Sequence, residues 1–352
     1  MKMRGAAILL ALAAVAVGTW PQLTLGQGSG QQLVVASWGG PYQAAQRDFF
    51  FGPFERETGI HVVDVSEASQ SPAKIRTMAD ANRMEWDVSD VTANQFFPLV
   101  ERALLEPLDF TGIATRDFVP AAVHKYGLGS VFFSRGLAYR SDVYRLHQPQ
   151  SWKDFWDVRR FPGPRAMTDA LWFSHPDLEM ALCADGVPVD KIYPIDVERA
   201  FRKLAEIKPN VTVWLKSGAQ QTQLIQQKEV FMSVAGAAAV ELMRQRNVPV
   251  AYSWNCALLE LDYWVVPKNA PHRAAAMRFV KFAADAQRQA QFAAKTAWGP
   301  TNLKSFRFID SARAREIPTS PENLKLEVVS NAAWWVANQE RVVNRWNEWI
   351  RQ

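Results

Sequence analysis

Cysteine is scarce in this chain of 352 residues, which holds only Cys183 and Cys256. Two cysteines exclude a disulfide-dense scaffold, and a chain of this length builds its core without them. Spacing alone leaves two readings open: a single bridge, or two buried thiols acting as small apolar residues. A strong charge of either sign is also missing. The formal net charge is +5, and removing the leader cations Lys2 and Arg4 leaves about +3. That small excess is spread along the chain without a basic block, which argues against nucleic acid as a partner. Beyond the N-terminus there is no apolar run long enough to cross a bilayer.

Catalytic signatures are absent as well. The sequence has no G-x-S-x-G elbow, no phosphate-binding loop, no G-x-G-x-x-G after a strand and no H-E-x-x-H. The five histidines, His61, His124, His147, His175 and His272, lack metal-ligand spacing. No cofactor or metal is expected. One nucleophile remains to weigh, the thiol of Cys256 in SWNCALLELD; no base or cation near it in sequence would lower its pKa.

What is present begins with a leader. Lys2 and Arg4 precede an apolar stretch from Ala6 to Val17, then small and polar residues. This is the pattern of a secretory signal peptide, assigned to residues 1–26. It predicts export and a soluble mature protein.

Strand and helix signals then alternate. Leu33–Ser37, Ile60–Val65, Trp86–Val91 and Arg165–Thr168 read as strands. Tyr42–Glu57, Ala73–Ala81, Phe96–Ala103, Ala219–Lys228 and Arg273–Ala294 read as helices. Val197, Phe201 and Leu204 mark one face of another, and Ser320-Pro321-Glu322 is a helix-start signal. Val342, Trp346, Trp349 and Ile350 form a C-terminal apolar stripe. Alternation of this kind predicts an α/β fold with covered sheets.

Aromatic and acidic residues gather where strands give way to loops: Trp38 in SWGGPY, Asp169, Glu260 and Asp262 beside Tyr263, and Trp298 in WGPTN. Ligands in open α/β sheets bind at the carboxyl ends of strands. Trp38 reads either as a ring offered to a ligand or as a plug of the interior. Gly39 and Gly40 let backbone turn sharply or approach a ligand closely.

SWGGPY, WDVSDVTAN, ALLEPLD, GLAYRSDVY, SWKDFWDVRRFPGPRAM, ADGVPVDKIYPIDVERAF, SGAQQTQLI, DYWVVPKNAP and WGPTN follow in that order. The series, from about Leu33 to Thr319, resembles the periplasmic solute-binding proteins of ABC importers, in the spermidine/putrescine-binding-like branch. The resemblance implies an α/β, two-lobed periplasmic-binding-protein fold with a hinge and an interlobe ligand cleft. It implies lobe 1 from residues 31–135 plus 264–306, and lobe 2 from 136–263 plus 307–352. Crossings are expected near Arg135–Ala138, Glu260–Trp264 and Asn302–Phe306. The implied activity is capture of a small metabolite in the periplasm and delivery to a membrane permease, by a monomer that performs no chemistry.

By position the resemblance implies ligand-binding roles for Trp38, Gly39, Thr92, Asn94, Asp169, Glu260, Asp262, Tyr263 and Trp298, with Asp262 as the main carboxylate. Carboxylates and rings together suit a cationic amine such as a polyamine. One departure stands out. Where polyamine binders carry Trp-Asn-Gly, this chain has FMSVAGAAAV, with Ala235 and Gly236. A stacking wall is lost, which opens the alternative of an organic anion, opine or amino-acid derivative. A thiol-dependent enzyme on the same fold is the remaining alternative.

Overall fold

β-Branched and apolar side chains at Leu33, Val34 and Val35 start a strand whose inward residues are completely buried. In the computed structural model, which describes residues 32–170 and 176–352, it opens a mixed α/β architecture. The leader assigned to 1–26 and His175 lie outside the described residues. The strands are β1 (Gln32–Ala36), β2 (His61–Val65), β3 (Val88–Thr92), β4 (Val123–His124), β5 (Gly127–Arg140), β6 (Arg165–Thr168), β7 (Val211–Leu215), β8 (Met232–Gly236), β9 (Val250–Val265) and β10 (Val328–Val329).

They form one sheet path, β2-β1-β3-β9-β5-β8-β6-β7, with β10 added to β9 and β4 to β5. The outer strands on each side run parallel. The two central strands, β5 and β9, are antiparallel and span from Leu128 opposite Trp264 to Arg140 opposite Val250. Near one end β3 flanks β9; near the other, β8 flanks β5; β10 flanks β9 at its middle.

The apolar cores separate along these two strands. One collects Leu137, Trp152, Phe155, Phe201, Trp335, Trp346 and their neighbours. The others lie around Phe51, Trp264 and Phe279, and around Phe96, Phe132 and Tyr263. The C-terminal helix Ala332–Arg351 buries Trp335, Val342, Trp346 and Trp349, as its stripe predicts. Ile309 and Ile317 pack with Ala290 and Ala293, while Val328 belongs to the core of Trp335.

Three local expectations change. The long helix expected over 273–294 is two helices, Arg273–Ala283 and Ala286–Thr296. Asp285 breaks it by accepting the Arg288 N–H at 2.9 Å, so a cap outweighs the alanine-rich propensity around it. Ser320 does cap, accepting the Asn323 N–H at 3.2 Å, but only the short turn Asn323–Lys325 follows. The helix expected over 42–57 forms, with a wider π turn at Arg47–Phe51 inside it.

Cys183 and Cys256 are bridged, with Cα atoms 6.3 Å apart. The buried-thiol reading is therefore corrected: Cys183, at the end of the helix Leu178–Ala184, is tied to β9, and no free thiol remains among the described residues. The bridge closes a separation of 73 residues, a loop whose lost entropy in the unfolded chain is worth roughly 4 kcal/mol. Cys183→Ser with Cys256→Ser is expected to lower the melting temperature clearly while leaving ligand affinity within about twofold. Unchanged melting would show that the link contributes nothing.

Candidate functional site

Alternation along β9 decides which side chains share a face. Leu259, Leu261 and Tyr263 point into the core around Phe96. Glu260 and Asp262 point the other way. In register Asp262 lies between Thr92 of β3 and Val131 of β5, and Glu260 lies opposite Phe133.

Asp262 is 6% exposed, and its Oδ1 has no hydrogen-bond partner. The Trp38 indole Nε1 is buried, likewise without a hydrogen-bond partner, and it is the neighbour that favours the charged carboxylate. Burial pushes the Asp262 carboxyl well above the ordinary range, and the nearby charges of Asp90 and Glu260 push it further. Asp90 is equally buried but fully served. It accepts from the Tyr42 hydroxyl at 2.6 Å, the Ser130 hydroxyl at 2.7 Å and Gln46 Nε2 at 3.0 Å. Of two adjacent buried acids, one is satisfied internally and the other is left with an open valence beside a ring.

The opening SWGG stretch builds this corner. β1 ends before Trp38, and Gly39 and Gly40 take φ of +76° and +58°. A side chain at Gly39 would be strained by that φ and would meet Ser66 at 3.1 Å. The Gly39 N–H donates to Gln43 Oε1 at 2.8 Å, so it serves the turn. The helix that follows supplies Tyr42, whose ring packs edge-on against Trp298 with centroids 4.8 Å apart. Phe292 stacks on Trp298 at 6.0 Å. Trp298 is thereby held while another part of it lines a cavity.

Two cavities flank the crossing strands, and Phe133 lines both. The smaller, about 210 Å³, is lined by Arg135, Thr168, Gly218, Gln221, Gly236 and Trp298, among others. No carboxylate is among its described lining residues. Gly218 and Ala237 begin two nine-residue helices, whose positive ends therefore meet there. Gly236 and Ala237–Ala239 leave space where a large ring would have stood. The larger cavity, about 800 Å³, is lined by Thr92, Asn94, Glu260, Tyr263, Tyr193 and Glu327, among others.

The expected residues thus fall into groups. Trp38 and Asp262 meet. Trp298 joins them through Tyr42 and Asp90. Glu260, Thr92, Asn94 and Tyr263 border the larger cavity. Thr92 also accepts the Gln95 N–H at 3.3 Å as a helix cap, and Tyr263 stacks on Phe96 and donates to the Ala121 carbonyl at 2.6 Å. Those contacts give both residues packing work. Asp169 follows β6, where its N–H bonds the Leu215 carbonyl, and it lines neither cavity.

Arg135 was legible only as a landmark of the crossing. It is 2% exposed and donates to Glu260 at 2.7 Å and to Asp177 at 3.3 Å. Asp177 in turn accepts the Thr168 N–H at 2.8 Å. This chain of bonds links β5 to β9 and to the end of β6. The signal for it was an arginine in the middle of the largely apolar run GLGSVFFSRGLAY.

Two cavities against the crossing strands, lined by rings and helix ends, with a buried acid of open valence on the same strand β9, form the site of a solute-binding protein. The chain belongs to the bacterial extracellular solute-binding proteins, whose family model matches residues 50–319. It is the substrate-binding protein of an ABC transporter. It is 34% identical to the gamma-aminobutyric acid-binding protein of Pseudomonas aeruginosa, over 92% of each chain. The Escherichia coli spermidine/putrescine-binding periplasmic protein is 20% identical, over 80% of this chain and 81% of its own. A solved ABC transporter substrate-binding protein from Bradyrhizobium japonicum is 36% identical, with a TM-score of 0.84, covering 91% of this chain and 99% of that one. A solved GABA receptor is 33% identical, with a TM-score of 0.81, covering 91% and 98%. The two-lobed fold expected from the sequence is that of these neighbours. Cys256, the candidate nucleophile of the enzyme alternative, is held in the disulfide.

A carboxyl with a raised folded-state pKa contributes stability at low pH and loses it as pH rises through that value. Asp262→Asn removes that loss. The melting temperature of the variant is expected to gain on the wild type progressively between about pH 5 and about pH 8. A difference that stays constant over that window would contradict the charge environment described for Asp262.

Proposed function

We propose that this receptor binds a small zwitterion, a compound with an amine at one end and a carboxylate at the other. The observation that carries the reading is Asp262: a buried carboxylate with an open valence, set against the Trp38 indole. An ammonium group would supply the missing partner as a charge-assisted hydrogen bond. The smaller cavity supports the other end. Two helix starts meet there, without an acid among the described lining residues, and so it favours an anionic group over a second ammonium; the Arg135 charge beside it is already paired with Glu260 and Asp177. The 34% identical relative bears the name of a gamma-aminobutyric acid-binding protein, a ligand of this class. A linear diamine, the ligand named for the 20% identical relative, would place its second cation among those helix starts.

The remaining assignments belong to the same reading. Residues 1–26 act as the export signal, and the mature chain works in the periplasm as a monomer, hands its ligand to a membrane permease, performs no chemistry and binds no nucleic acid. Residues 31–135 plus 264–306 form most of lobe 1, and 136–263 plus 307–352 most of lobe 2. We place the third crossing closer to Leu326–Val328, because Ile309 and Ile317 pack with Ala290 and Ala293.

The test is a thermal-shift and calorimetry series with 4-aminobutanoate, 1,4-diaminobutane and butanoate. A ligand that binds only the native form stabilises it by mass action. The zwitterion is expected to stabilise most and butanoate least, and Asp262→Asn is expected to weaken the zwitterion by about 100-fold or more. Stronger stabilisation by the diamine, or undiminished binding to Asp262→Asn, would overturn the reading.

A further inference from the structure

A second buried acid, at the edge of the larger cavity, is distinct from the corner of Asp262 and Trp38. Glu327 is 4% exposed, and neither of its carboxylate oxygens has a hydrogen-bond partner. Its position in the fold is specific. The Leu326 carbonyl accepts the Cys256 N–H at 2.7 Å, and Val328 pairs with Leu258 of β9. Leu258 and Leu259 of β9 face Arg135 and Ser134 of β5. Three chain segments therefore run side by side at Glu327: both central strands and the segment leading to the C-terminal helix.

The groups around this carboxyl are hydroxyls. Ser134 is the neighbour that favours its charged form, and the Ser134 and Tyr252 hydroxyls lie 3.0 Å apart. Tyr252 is itself packed tightly here, since a Cβ on Gly136 would meet its hydroxyl at 2.6 Å. None of the charged groups nearby hydrogen-bonds it. Arg135 adjoins Ser134 in sequence, but alternation puts it on the other face, bonded to Glu260 and Asp177. Lys325 is exposed, and Asp190, His124 and Glu260 border the cavity that Glu327 also lines. Burial pushes the Glu327 carboxyl well above the usual carboxylate range.

We propose that Glu327 is a positioning residue that carries a proton while the crossing segments are packed and loses it when they part to admit water. Closure of the lobes then takes up a proton, and opening releases one. This rests on the reading of the protein as a two-lobed receptor that opens and closes, and it adds a pH dependence that acts through the hinge. The dependence has a definite sign. A carboxyl more basic in the packed state makes packing weaker as pH rises above its ordinary range. Asp262 works in the opposite sense on ligand affinity, because an ammonium requires it ionised and so binds better as pH rises.

The test needs no ligand. Amide hydrogen exchange in β5 and β9 is followed in the ligand-free protein from about pH 6 to about pH 9 and corrected for the intrinsic chemical rate. In the wild type, opening is expected to grow by more than about tenfold across that range; in Glu327→Gln it stays flat. Glu327→Met, equally unable to ionise, serves if the glutamine variant folds poorly and is expected to be flat as well. Parallel profiles in wild type and variants would overturn the proposal, whether or not the ligand assignment holds. With 4-aminobutanoate as probe, the ratio of wild-type to Glu327→Gln affinity is expected to fall as pH rises, and a constant ratio would count against it.

Discussion

The long antiparallel pairing of β5 with β9 is the constraint on which the rest of the molecule depends. It runs through both halves of the sheet and lets each half keep its own parallel strands and its own core. Between the flanking strands, β5 is met by the isolated bridge from Phe132 to Gly299. There the alternation of β9 sends Leu259, Leu261 and Tyr263 into a core and leaves Glu260 and Asp262 on the opposite face. A shift of one residue in this register would exchange the two sets of side chains between faces, putting both acids into the apolar core.

The same pairing concentrates acidic groups where burial makes them costly. Asp90 is satisfied by three donors, Tyr42 and Gln46 from one helix and Ser130 from β5. Asp262 and Glu327 lack such partners. A fold selected only for stability would have replaced them with apolar residues of similar volume. Their presence beside the Trp38 indole and at the meeting of three segments fits work done only when something binds or moves. Local violations of consistency of this kind are expected at functional positions.

Much of this was legible in the sequence, though unevenly. Strand and helix positions followed from apolar periodicity because burial imposes the period. Asp262 and Trp38 were legible as a ring and an acid at strand ends. The break at Asp285 was not, since one cap competes with eleven helix-favouring residues on either side and only tertiary packing shows which prevails. The disulfide lay beyond reach because proximity across 73 residues is a property of the fold. Arg135, Asp177 and Tyr42 were passed over for the same reason: their partners are distant in sequence, and only the sheet brings them together. Thr92 shows the opposite case, a residue assigned to the ligand whose capping box with Gln95 was readable three positions away.

The central claim is that Asp262 awaits an ammonium group. The most direct measurement is a crystal structure of the mature protein with 4-aminobutanoate. The account predicts the ligand nitrogen within hydrogen-bonding distance of the Asp262 carboxylate and against the Trp38 indole, with the carboxylate toward Arg135 and the helix starts. A bound ligand with its nitrogen elsewhere, and Asp262 still without a partner, would contradict it.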